Sequence, residues 1–147
     1  MSLHTPDLTK FPPRSPRVRL GGYVILPRML DKGRATLAGK NGEYHYACPL
    51  DHDFLDYVGI DPEELKPHLN KTDSEVLAWI NDHAKFKRTA PEIAAWCAWQ
   101  EQSPPDNPKS REHFNEIHKT SGAQREDILS WFDLLDMDDY VSFGGKS

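Results

Sequence analysis

The chain has 147 residues, enough for one domain that buries about two-thirds of the surface its unfolded chain exposes. A formal net charge of −5 argues against a general nucleic-acid binder, and no apolar run nears the length of a membrane span. Two cysteines make no disulfide framework and residues 1–20 lack the apolar core of a secretion signal, so the expected setting is cytoplasmic with both thiols reduced.

Residues 1–17 carry Pro6, Pro12, Pro13 and Pro16 and no helical period. They read as an extended arm, with Leu8 and Phe11 as anchors onto a core, its own or a neighbour's. Residues 18–147 are expected to form a single helical domain.

Residues 20–37, LGGYVILPRMLDKGRATL, organise the reading. A helix is expected from Leu26, with Pro27 in its first turn, where a missing N–H is harmless. Leu26, Leu30, Gly33 and Leu37 share one face. Arg28, Asp31 and Lys32 fall on the other side, with Arg34 nearer the border. The amphipathic expectation is therefore a core helix with a solvated charged face. Gly33 on the apolar face predicts a close approach by another backbone. Residues 21–25 read as a kinked or delayed start of the same helix, or as a short extended run.

Residues 39–42 signal a turn, and residues 43–46 suit a short strand or extended linker. Leu50, Phe54, Leu55 and Val58 have helical spacing, stopped by Gly59. Asp61 and Pro62 open a short helix. Thr72 with Glu75, and Thr89 with Glu92, are capping-box spacings that start two further helices. Asn107 and Pro108 start another, which ends at Gly122. A last helix is expected over residues 124–136, with Ile128, Leu129, Phe132 and Leu135 inward, followed by a tail. No internal repeat is evident. The sum is an all-α single domain of six or seven short helices, with room for one small β-ribbon.

The segments PPRSPRVRLGGYVILPRMLDKGRA, GEYHYACPLDHDFLDYVGID and SEVLAWI together resemble a bacterial domain family of unknown function. Its members share a PPRSPR-type opening, an LPRMxDKxRA helix and a GEYxYxCPLD segment. The resemblance spans about residues 11–80 and implies a stand-alone bacterial domain. It brings no residue roles with it.

Charge is unevenly spread. Residues 10–40 hold eight basic residues and one acid, a net +7, and residues 126–145 hold six acids and no base, a net −6. The basic front half is expected to dock near the acidic end, within one chain or in a second copy of it, which makes a homo-oligomer a candidate partner. A dedicated anion site in the front half is the sharper alternative.

Residues 44–56 concentrate chemistry: Tyr44, His45, Tyr46, Cys48, Asp51, His52, Asp53 and Asp56. In one reading Tyr44, His45, Tyr46 and Trp79 wall a pocket, and Arg28, Lys32 or Arg34 binds the anionic group of a small ligand. That requires the charged helix face to turn inward. In another, His45, Cys48 and His52 ligate zinc, with Asp51 or Asp53 completing the shell, although the spacing matches no established pattern. Cys48 as a nucleophile would need His45 or His52 as its base; a structural cysteine is the ordinary alternative. Trp96 and Trp99 can share one face, as core, dimer interface or aromatic cage. The chain has no HExxH, GxSxG or GxGxxG, and its Gly-Lys-Ser end and Asp136–Asp139 run match neither a P-loop nor an EF-hand. No cofactor is expected. The leading expectation is a ligand-binding or protein-interaction module, and the competing one is a metal-dependent or Cys/His enzyme built on residues 44–56.

Overall fold

A computed structural model describes residues 5–146. Among these the chain forms seven α-helices and a short 3-10 turn: α1 Leu26–Leu37, α2 Pro49–Val58, α3 Pro62–Leu65 running into Lys66–His68, α4 Asp73–His83, α5 Ala90–Gln102, α6 Pro108–Gly122 and α7 Trp131–Ser142. The all-α expectation holds. No strand forms among the described residues, so residues 43–46 make no ribbon; the single β-bridge joins Leu20 to Tyr23. Among the described residues no helix is long and apolar enough to cross a membrane.

Local chemistry sets most helix starts. The Asp61 carboxylate accepts from Glu63 N–H at 2.8 Å, and Asn107 Oδ1 accepts from Ser110 N–H at 2.9 Å. Thr72 with Glu75 and Thr89 with Glu92 close reciprocal capping boxes. Gly59 ends α2 at φ 72°, a left-handed position that glycine adopts without penalty.

The last helix departs from expectation. Residues 124–130 are not helical, and α7 starts at Trp131 and continues to Ser142. The reason is a third capping box. Ser130 accepts from Asp133 N–H at 3.2 Å, while the Asp133 carboxylate takes the Ser130 and Leu129 N–H groups at 3.1 Å each. The later start changes which side chains face inward. Phe132 and Leu134 are fully buried, and Leu129 is exposed.

The segment before α1 is neither a kinked helix nor a strand. Leu20 and Tyr23 exchange two backbone hydrogen bonds of 3.0 Å around Gly21 and Gly22, both at positive φ. Two glycines meet the demand of such a two-residue loop. Ile25 then caps α1 at φ 76°, a strained conformation for a β-branched residue. Its complete burial and its N–H, donated to Pro16 O at 2.9 Å, hold it there.

α1 is the hub. Leu26, Met29 and Leu30 are buried in one apolar core with Phe54 and Leu55 of α2, Ile80 of α4 and Phe132 of α7. A second, smaller cluster of Phe114, Ile128, Leu134 and Met137 joins α6 to α7. α7 thus belongs to both. Residues 5–17 lie on the body, with Leu8 buried and its N–H donated to Lys40 O at 2.8 Å. Phe11, the other expected anchor, is 41% exposed. Residues 1–4 of the expected arm lie outside the described residues.

Gly33 faces side chains rather than backbone. A methyl group there would sit 2.5 Å from Leu69 Cδ1 and 3.0 Å from Tyr46 Cδ1, and Leu69 is itself fully buried. Gly33→Ala is expected to lower stability by about 1–2 kcal/mol, crowding outweighing alanine's helix propensity. A urea midpoint that rises instead would show that Leu69 and Tyr46 give way.

Candidate functional site

α1 is covered nearly all round. Arg28, Asp31 and Lys32, expected on a solvated face, are buried, with Arg28 and Lys32 at 3% exposure each. The amphipathic expectation fails because other segments bring opposite charges to this face, and a paired charge can be buried where a lone one cannot. The resulting polar ring divides into three clusters.

The first holds Arg28. It donates to both carboxylate oxygens of Asp139 on α7, at 2.7 and 3.3 Å, and to Arg14 O at 3.3 Å. Tyr44 donates its hydroxyl to the same carboxylate at 2.7 Å, and Arg28 lies over the Tyr44 ring. Burial, and next the bond to Asp139, push the Tyr44 phenol well above its usual range.

The second holds Lys32. Its ammonium lies 3.0 Å from Asp51 Oδ2 and 3.1 Å from Cys48 Sγ. Ala47 N–H donates to Asp51 Oδ2 at 2.9 Å, whereas Asp51 Oδ1 is buried without a hydrogen-bond partner. Cys48 caps α2 with no side-chain hydrogen bond to the helix, and Ala47 before it adopts φ 62°. Tyr46, beside Gly33, donates to Pro62 O at 2.9 Å. Burial first, then the Asp51 charge, raise its phenol far above the usual range.

The third cluster lies where residues 5–17 cross α1 and meet the start of α4. Arg14 binds Asp31 through its backbone N–H at 2.9 Å and its guanidinium at 3.0 and 3.1 Å, and reaches Asp73 at 2.8 Å. Arg34 also donates to Asp73, at 2.7 Å, and to the carbonyls of Leu69 and Lys71 at 2.9 and 2.8 Å. Burial works against the Arg14 charge, but the bonds to Asp73 and Asp31 overcome it and hold the proton more tightly. The Asp73 carboxyl is lowered chiefly by Arg14, against burial, with Arg34 adding to it. These groups line an open cleft of about 620 Å³ together with Pro6, Phe11 and Pro12.

The seven residues proposed as one ligand site thus distribute over several places. Arg28 meets Tyr44, Lys32 lies near Tyr46 through Asp51, and Arg34 lines the cleft. His45 is exposed. Trp79 stacks between His68 and His83, with ring centroids 4.5 and 4.3 Å away. His45, Cys48 and His52 are not gathered: among the described residues no group of three or more His, Cys, Asp or Glu side chains could hold a metal. His52 faces Asp56 at 3.4 Å, and Cys48 has Lys32 for a neighbour rather than a histidine. Trp96 stacks on Tyr57 at the core edge, whereas Trp99 is exposed.

Sequence reasoning passed over Arg14, Asp31 and Asp73 as cleft residues. The signal available was the Pro-flanked Arg14 in a segment too rigid to be a loose tail. The charge asymmetry has its answer within one chain: Arg17 pairs with Asp133 and Asp136, and Arg28 with Asp139.

The architecture is that of a small all-α domain built round a charged central helix. The chain belongs to the family described as a domain of unknown function, DUF5069, which it matches over residues 10–141. No curated protein matches it.

Proposed function

We propose that the chain is a small-molecule binding module whose ligand occupies the cleft between residues 5–14, α1 and α4, and carries an anionic group. The observation that carries this reading is the convergence of Arg14 and Arg34 on Asp73 at the start of α4, in a cleft that Pro6, Phe11 and Pro12 also line. The volume falls in the range of small-ligand sites, which combine apolar surface with a few fixed polar groups. A helix start favours negative charge, and planar guanidinium groups suit carboxylate and phosphate. Arg14 is about one-third exposed, so a ligand oxygen reaches it without unfolding anything. Two resident carboxylates compete with that oxygen: Asp73 bonds both guanidinium groups, and Asp31 also holds Arg14. Two free thiols fit a reducing, cytoplasmic setting.

Calorimetric titration with small carboxylates and phosphate monoesters tests the reading. Arg14→Ala is expected to weaken binding by about 10- to 100-fold, the loss of one charge-assisted hydrogen-bond set. Asp73→Asn, which removes the competing charge shared by both arginines, keeps an acceptor and leaves Asp31 on Arg14, is expected to tighten it. Binding indifferent to both substitutions, or no binding by any anion of the set, would reject the cleft.

A further inference from the structure

Cys48 lies apart from that cleft, in surroundings of its own. Its Sγ accepts a hydrogen bond from Lys32 Nζ at 3.1 Å, which holds the amine nitrogen beside the sulfur. The lysine is 3% exposed and cannot swing into solvent, while Cys48 keeps partial access. Asp51, with no exposed surface, touches the same ammonium at 3.0 Å through Oδ2 and leaves Oδ1 without a partner. The sulfur sits at the start of a ten-residue helix, after a residue held at positive φ. Partly exposed cysteines beside a cation and a helix N-terminus are the ones that react with oxidants.

We propose that Cys48 is an oxidation site whose sulfenic acid is captured by Lys32 as a sulfur–nitrogen cross-link between α2 and α1. The oxidant is a hydroperoxide. The sulfur attacks its terminal oxygen, the O–O bond breaks, and the leaving oxygen takes the thiol proton, giving Cys48–SOH and water or an alcohol. Lys32 then transfers one ammonium proton to Asp51. Its free amine attacks the sulfenyl sulfur, the S–O bond breaks, and the departing hydroxide takes a second nitrogen proton as water. The product is Cys48 Sγ–Nζ Lys32 beside a neutral Asp51 carboxyl. The protein has lost two hydrogens in total. A thiol reverses the step by attacking sulfur, which breaks the S–N bond, returns the amine and leaves a mixed disulfide that a second thiol clears. The device protects Cys48 from irreversible oxidation and ties the hub helix to its neighbour. Capture requires an amine within reach at the moment the sulfenic acid forms, and burial keeps Lys32 there.

Peptide mapping of the full chain after hydrogen peroxide treatment, before and after addition of a thiol, is the test. The expected result is a peptide joining residue 32 to residue 48, short of two hydrogens, resistant to trypsin at Lys32 and released by thiol. Mapping separates it from a Cys48–Cys97 disulfide of the same mass, and finding that disulfide instead would overturn the proposal. So would Cys48 carrying two added oxygens with Lys32 unmodified, or Cys48 remaining reduced. In Lys32→Arg, which keeps the charge and removes the amine, trapping of the Cys48 sulfenic acid by dimedone is expected to rise several-fold; equal trapping in both proteins would count against capture. The wild-type map decides the matter even if that variant folds poorly.

Discussion

Lys32→Met is expected to destabilise the domain by about 3–5 kcal/mol, because it leaves the Asp51 carboxylate buried with its positive partner removed. Asp51 has no exposed surface, and its remaining hydrogen bond comes from Ala47 N–H. One backbone donor does not replace an ammonium, and Oδ1 already lacks a partner. The midpoint of thermal unfolding should fall by on the order of 10 °C. The double variant Lys32→Met, Asp51→Asn is the informative comparison. Its neutral amide still accepts from Ala47 and leaves no buried charge, so much of the loss should return. The two changes should therefore be strongly non-additive, with a coupling of about 1–3 kcal/mol. Additive losses in denaturant titrations would mean that the pair is worth little and that the lysine matters only through its aliphatic stem.

Asp139→Ala should produce a loss of similar size, about 3–5 kcal/mol, through a different route. It leaves the Arg28 guanidinium buried with only the Arg14 carbonyl among its described hydrogen-bond partners, and it frees the Tyr44 hydroxyl as well. It also cuts the polar tie between α7 and the hub helix. α7 remains attached to the main core through Phe132, but Leu134 and Met137 pack in the smaller cluster with Phe114 of α6. Amide hydrogen exchange should therefore accelerate first in α6 and α7, ahead of α1, α2 and α4. Uniform acceleration across all helices would contradict the division into two clusters. Tyr44→Phe, which removes one of the donors to Asp139 and keeps the ring under Arg28, should cost only about 1 kcal/mol.

Both expectations rest on residues whose identities were plain in the sequence and whose burial was not. The helices themselves were legible because their signals are local. A capping Thr, Asp or Asn with Pro or Glu at the right offset acts within one turn, so α3 to α6 start at expected residues. Where two local signals competed, as at Ile128 to Asp133, periodicity suggested an early start and the Ser130–Asp133 box decided the later one. The glycine pair at 21 and 22 was visible as punctuation, but only its bridged partners, Leu20 and Tyr23, reveal a tight loop rather than a kink.

The sequence by itself determined the class: all-α, one domain, a central helix from Leu26 and a basic front half matched by an acidic end. Only the tertiary structure decided that the charged side of α1 faces inward. Helical periodicity separates apolar from polar residues, but it does not tell whether a polar face meets water or an opposite charge. That depends on Asp51, Asp73 and Asp139, which lie 19, 39 and 111 positions along the chain from the cations they meet. The physical reason is that ion pairing acts through space. Burial of Lys32 and Arg28 is tolerable only once their partners arrive, and no pattern local to α1 records the arrival.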